Sequence, residues 1–256
     1  MSGFDVLAAA ICGVNTRISH AHGTYIMPKY FLDKVVCTFS KFLIKHFSTS
    51  KIAVSHIAGD TLFSSKDYEL ILNSVDFSVY DNIEKKEHNG INILQVGYFC
   101  SNKNQLFSLN LVNELVSNGN SVHLYLIGFE LDAVYTEKIK QYIDDNKLSN
   151  FVSILPQDYD KFLLYPSIDY MVLPSGTEGL PIVSLECQAA RIPCIASLGI
   201  TEDADLGLLL RVSVNNKDEW IKILSHKFDS CQYDTKKAER FDRKVFIRSI
   251  RNIYDK

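Results

Sequence analysis

The chain has 256 residues, 46% hydrophobic, 22% charged and 11% aromatic, so it carries apolar material for a sizeable core, and disordered or collagen-like architectures are excluded. Lys and Arg number 27 against 30 Asp and Glu, a formal charge of -3. No global basic field draws in nucleic acid, which is not expected as a partner, and any anion site must be built locally.

The apolar opening, Val6 to Val14, is about half the length a bilayer crossing requires. The residues before it lack the basic leader of a signal peptide, so a cytoplasmic protein is expected. A strand follows at about Arg17 to Ala21, then a long helix from about Leu32 to Phe47 and a strand at Lys51 to Val54. The polar stretch Tyr80 to Gly90, ending in Asn-Gly, suits a linker between halves. From residue 91 onward, Val-, Ile- and Tyr-rich runs alternate with helical periods, the signature of βαβ units and a parallel sheet. The expected strands are Ile91 to Gly97, Val122 to Gly128, Phe151 to Leu155, Tyr170 to Pro174 and Cys194 to Ser197. Helices are expected at about 103–117, 131–146, 158–165 and 181–191, with Asn102 and Asp158 among the capping residues. Lys236 to Tyr254 reads as a basic amphipathic helix with Phe241, Val245, Ile250 and Tyr254 available to dock; it either crosses back onto the first domain or touches anionic lipid. Six cysteines (Cys12, Cys37, Cys100, Cys187, Cys194, Cys231) are scattered without a Cys-x-x-Cys or a zinc-spaced His cluster, and read as buried reduced thiols. The domains drawn are 1–85, a partial N-terminal Rossmann-like domain; 86–230, a Rossmann-like ligand-binding domain; and 231–256, the C-terminal helix.

The most informative segment runs from Leu173 to Ser197. A strand enters a glycine-containing turn, and Pro181 fits the first turn of the next helix, where its missing N–H costs nothing. Such a turn offers free backbone N–H groups and the positive end of the helix dipole to an anion, at the carboxyl end of a parallel strand where open α/β sheets bind ligands. Glu186 is the second oddity. Its neighbours at three and four residues are Ile182, Val183, Ala189 and Ala190, all apolar, so its carboxylate projects from the packed stripe and needs a partner. Ribose hydroxyls are one partner; a structural pairing with Arg191 is another, and a rolled helix that exposes the carboxylate is a third.

Glu178 and Glu186, with Gly179-Leu180-Pro181 between them, resemble the signature of the family 4 retaining glycosyltransferases. Asn73-Ser-Val-Asp76, Leu94-Gln-Val-Gly-Tyr-Phe99 with Lys103-Asn104, and Ile168-Asp169 through Ser175 resemble further elements of that family in the same order. Ala196-Ser197 and Ile200 through Gly207 resemble its capsule, exopolysaccharide and O-antigen branch. The resemblance implies an α/β fold of two Rossmann-like domains, the GT-B fold, with the N-terminal one incomplete. It implies that Glu178 contacts the donor sugar, that Glu186 holds the nucleotide ribose, and that the backbone of Gly179, Leu180 and Pro181 meets the diphosphate. Lys103 maps to a diphosphate-contacting lysine, and Tyr98 stands where the family carries Arg. Arg17-Ile-Ser-His-Ala-His22 resembles the histidine motif of the acceptor domain, with His22 favoured over His20 as the group near the sugar; His46, His56 and His226 receive no role.

By this resemblance the chain transfers a hexose, with retention, from a UDP- or GDP-sugar to a lipid-linked or soluble glycan in surface polysaccharide assembly. Peripheral contact with the inner membrane face is compatible with it. The nucleotide sugar is a substrate, and the resemblance implies neither a cofactor nor a metal, the diphosphate being met by the protein's own donors. A nicotinamide enzyme is disfavoured because no Gly-x-Gly-x-x-Gly follows a strand. The family normally carries its first strands before the His motif, so a truncated frame or a partner polypeptide is expected, and the second reading is a non-catalytic nucleotide-sugar-binding subunit.

Overall fold

A computed structural model describes residues 3–23, 30–63, 66–226 and 232–255. In chain order the elements are α1 (Gly3–Ile11), β1 (Ile18–Ala21), α2 (Phe31–Phe47), β2 (Ser50–Ala53), α3 (His56–Phe63), β3 (Glu69–Leu70), β4 (Ile91–Val96), α4 (Gln105–Ser117), β5 (Val122–Ile127), α5 (Ala133–Asp145), β6 (Val152–Leu155), β7 (Tyr170–Leu173), α6 (Ile182–Ala189), β8 (Cys194–Ala196), β9 (Leu209–Arg211), α7 (Lys217–Leu224), α8 (Thr235–Glu239) and α9 (Arg243–Tyr254). Among the described residues all strand pairs are parallel, as the alternation of apolar runs and helical periods implies. Two compact units form: residues 1–76, 178–180 and 238–256 make the first, and 77–177 with 181–237 the second.

The first unit holds a three-stranded sheet in the order β1-β2-β3, with Ile18 opposite Ser50 and Ile52 opposite Glu69. Right-handed crossovers in such an order put α2 and α3 on one face. Helix α9 packs Phe246, Ile250 and Ile253 against Ile18, Ile52 and Ile71. The expected continuous helix from Lys236 is interrupted: Phe241 is fully buried, and the Asp242 carboxylate caps a new helix by accepting from the Lys244 N–H at 2.6 Å. The restart sets a different stripe inward, so Phe246 and Ile253 dock while Val245 and Tyr254 are exposed. Helix α2 has two apolar faces. Leu43 and Ile44 are buried, whereas Phe31, Leu32, Val35, Val36, Phe39 and Phe42 form a second, exposed stripe, with the Phe39 ring 5.9 Å from Phe4 of α1.

The second unit is a six-stranded sheet in the order β6-β5-β4-β7-β8-β9. Its strands are apolar along their length because helices cover such sheets on both faces; all four residues of β7 are buried. The core joins Leu109, Val112 and Leu115 of α4 to Ile93, Leu124, Val172 and Ile195, and closes around Trp220 of α7, whose ring meets Phe107 edge-on at 5.2 Å. Strand β9 and helix α7 lie beyond the expected elements. The helix expected at 158–165 is instead two separate 3-10 turns, Lys161–Leu163 and Tyr165–Ser167, the second carrying Pro166, which lacks the N–H a longer helix needs there. Capping also falls elsewhere: Asn104 precedes α4 in a left-handed conformation without a side-chain bond, and Asp132 caps α5 by accepting from the Tyr135 N–H. Of the cysteines, Cys187 and Cys194 are buried, Cys37 and Cys100 are partly covered, Cys12 is exposed just after the end of α1, and Cys231 lies outside the described residues. Among the described residues no helix is long and apolar enough to cross a membrane.

Candidate functional site

The strand order of the second unit reverses between β4 and β7, and the loops that leave these neighbouring strands at their carboxyl ends occupy the position at which open α/β sheets bind ligands. Both loops are tied down by main-chain and amide bonds. The Gly176 N–H donates to the Asn102 carbonyl at 2.8 Å, Asn102 Nδ2 donates to the Thr177 carbonyl at 3.0 Å, and Asn104 Nδ2 reaches the Pro174 carbonyl at 3.4 Å. Two buried glutamines hold the first loop from below: Gln95 Nε2 donates to the Lys103 carbonyl at 2.7 Å, and Gln105 Nε2 to the Tyr98 carbonyl at 2.9 Å. Lys103 runs along Gly97, where a Cβ would lie 3.1 Å from its Cδ. Tyr98 is exposed and rests against the Phe129 ring, with centroids 4.5 Å apart.

Helix α6 starts one residue later than expected. Pro181 is its N-cap rather than its first helical residue, and its carbonyl accepts from the Ser184 N–H at 2.9 Å. Glu186 points inward from this helix, and its partner is neither Arg191 nor solvent. Lys161 Nζ lies 2.6 Å from Glu186 Oε2, and the Tyr165 hydroxyl donates to the same oxygen at 3.4 Å. Burial, together with the neighbouring Cys187 and Glu186, pushes the Tyr165 hydroxyl far up, so it remains a donor. Arg191 instead bonds the Ala189 carbonyl and lies 3.9 Å over the Tyr233 ring. The fully buried Gln188 ties the 200–208 loop to α6: its Nε2 donates to the Ala204 carbonyl at 2.8 Å, and its Oε1 accepts from the Leu206 and Leu208 N–H groups at 2.8 and 3.3 Å.

Glu178, Gly179 and Leu180 group with the first unit. There a Cβ on Gly179 would sit 2.2 Å from the His22 carbonyl oxygen, so only glycine allows this approach. The His20 and His22 rings are 4.1 Å apart. His20 is the more buried and its Nε2 has no hydrogen-bond partner among the described residues; burial, and secondarily His22, lowers its pKa to about 4, while His22 is exposed. Among the described residues no three His, Cys, Asp or Glu side chains gather as a metal site would require.

The structure therefore assembles Tyr98, Lys103, Pro181 and Glu186 on one unit, and His22, Glu178, Gly179 and Leu180 on the other. Sequence reading missed Lys161 and Tyr165, which sit in short turns remote in sequence from Glu186. It also missed Gln95, although a glutamine inside the run Ile93-Leu94-Gln95-Val96 is a visible signal.

Residues 76–201 match the family model described as "Glycosyl transferases group 1". The chain carries a group 1 glycosyltransferase domain. At this level the resemblance to family 4 is borne out, and the match covers the loops at residues 97–104 and 174–181 together with α6. The chain is 32% identical over 232 residues to "Putative glycosyltransferase EpsF" of Bacillus subtilis (strain 168), covering 84% of this chain and 60% of that protein. It is 26% identical over 213 residues to the capsular polysaccharide biosynthesis glycosyltransferase CapH of Staphylococcus aureus, covering 80% of this chain and 59% of that one. The chain thus spans about 60% of the length of the curated relatives it matches. Among solved structures, Anabaena Alr3699/HepE in complex with UDP-glucose aligns with a TM-score of 0.80 at 16% identity, over 98% of this chain and 75% of the other. That likeness extends the α/β parallel-sheet fold of glycosyltransferases beyond the group 1 domain.

Proposed function

We propose that the chain transfers a hexose from a nucleotide sugar to a glycan acceptor in surface polysaccharide assembly, with retention of configuration. The observation that carries this reading is Glu186, a carboxylate turned inward from α6, the helix that follows β7 where the strand order reverses, within a group 1 glycosyltransferase domain. In this reading the α6 N-terminus, the backbone of Gly179, Leu180 and Pro181, and Lys103 hold the nucleoside diphosphate and stabilise the charge that develops on it as it leaves. Glu186 accepts from the ribose hydroxyls. Glu178 and His22 orient the donor sugar, so catalysis is positioning and electrostatics, without a metal. UDP is the first nucleotide to try because Alr3699/HepE was solved with UDP-glucose. The acceptor is lipid-linked or soluble, met in the cytoplasm or at the inner membrane face.

The test is a thermal-shift titration with UDP, GDP and ADP, with and without EDTA, beside Glu186→Ala. A ligand at about 100 times its Kd adds roughly 2.7 kcal/mol, several degrees in a chain of this size. A shift with one nucleotide that survives EDTA and vanishes in Glu186→Ala supports the reading, and NMR of the transferred anomer then tests retention. Binding without turnover favours a donor-binding subunit. No shift with any nucleotide refutes both.

A further inference from the structure

We propose that Lys161 is a positioning residue of the donor site, fixing the Glu186 carboxylate so that one oxygen is engaged and the other is presented to the nucleotide ribose. This rests on the donor-site reading above and adds to it a residue that nothing in the signature motif names.

Both bonds to the Glu186 carboxylate fall on one oxygen, Oε2: Lys161 Nζ at 2.6 Å and the Tyr165 hydroxyl at 3.4 Å. Oε1 receives no hydrogen bond from a described residue, so its full acceptor capacity remains for a ligand. The two side chains are only 29% and 19% exposed, which separates this pair from a surface bridge that salt would screen. The lysine is also placed by its backbone. The Asp160 carboxylate accepts from the Phe162 N–H at 3.0 Å, and the Lys161 carbonyl accepts from the Leu164 N–H at 3.0 Å. The Phe162 ring stacks on Tyr80 at 5.2 Å with an interplanar angle of 21°, and meets Tyr165 edge-on at 5.6 Å. A lysine carried by so fixed a turn loses less freedom in holding one geometry than a lysine on an open surface.

Charge gives the pair its purpose. A lone, largely covered carboxylate beside a bound diphosphate would repel it. Lys161 neutralises Glu186 locally, so the carboxylate can serve the ribose without opposing the phosphates.

The test is isothermal titration, with whichever of UDP, GDP and ADP the wild-type chain binds, of the wild-type chain, Lys161→Met, Lys161→Arg, Glu186→Gln and the Lys161→Met/Glu186→Gln double variant, with the unliganded unfolding midpoint of each followed by the fluorescence of Trp220. The expected result is a roughly tenfold weaker Kd for Lys161→Met at a nearly unchanged midpoint, recovery to within about threefold in Lys161→Arg, and less than a twofold further effect of Lys161→Met in the Glu186→Gln background, where its partner carries no charge. An unchanged Kd with a lowered midpoint would overturn the proposal, because Lys161 would then only pin the 160–167 turn to α6. Equal weakening in both backgrounds would overturn it too, because the lysine would then act on the nucleotide independently of Glu186. A wild-type chain that binds no UDP, GDP or ADP overturns the donor-site reading and this proposal with it, whereas wild-type binding that Lys161→Met leaves intact overturns this proposal alone.

Discussion

Replacing Gln188 by leucine tests whether one buried amide organises the end of the group 1 domain. The glutamine is fully buried and bridges α6 to the Ala204 carbonyl and to the Leu206 and Leu208 N–H groups. Leucine fills nearly the same volume, so no cavity opens, but two buried N–H groups lose their acceptor and one carbonyl loses its donor. Each orphaned group costs about 1–3 kcal/mol, and the two N–H groups alone set the loss at about 4 kcal/mol, near the top of what single substitutions do. At roughly 2–4 °C per kcal/mol in a chain of this size, the midpoint falls by about 8–16 °C. Urea unfolding followed by tryptophan fluorescence measures it cleanly. Trp220 is the chain's single tryptophan, is fully buried, bonds the Ser213 carbonyl at 3.1 Å and lies in the same unit as Gln188. A Gln188→Leu variant within about 0.5 kcal/mol of wild type, the range of surface substitutions, would refute the reasoning.

Two further outcomes follow from the same geometry. Gly199→Ala places a Cβ 2.0 Å from the Gly176 carbonyl oxygen, a backbone atom that cannot step aside cheaply, so the loop after β7 must shift; a loss of about 1–3 kcal/mol is expected in the same urea assay, and an unchanged midpoint would contradict the packing. His20 stays neutral in the fold down to about pH 4, whereas the unfolded chain protonates it near its ordinary value of 6.5. The unfolded state therefore binds more protons between those values, and the first unit loses stability as pH falls from 6.5 to 4, by up to about 1.4 kcal/mol per pH unit. Calorimetry across that window should find the slope flattened in His20→Gln; an unchanged slope would assign it to other groups.

What the sequence made legible follows from how long each signal is. Strands β4 to β8 are runs of apolar residues bounded by turn residues, and all were readable, as was the inward direction of Glu186, because four apolar neighbours surround it on a helix. The partner of Glu186 was not readable. Lys161 lies 25 residues earlier, in a turn too short to show any period, and only the fold brings its ammonium to the carboxylate. Strand β3 has only two residues, and β9 is a half-buried edge strand that ends in Arg211, without the fully buried apolar run that marks the equally short β8. The restart of the C-terminal helix was written in the chain as Phe241-Asp242, a buried aromatic followed by a capping carboxylate, but amphipathic periodicity across the break masked it.

The second apolar stripe of α2 has a consequence for the protein as a colloid. Six large apolar side chains, from Phe31 at 77% exposure to Phe39 at 49%, stay in water after the unit has folded, so folding does not extinguish the attraction between molecules. A net charge of -3 on 256 residues offers weak repulsion against it. Concentrated solutions of the chain will be governed by this stripe, and mild detergent or a charged substitution at Leu32 or Val36 is the direct way to keep the molecules apart.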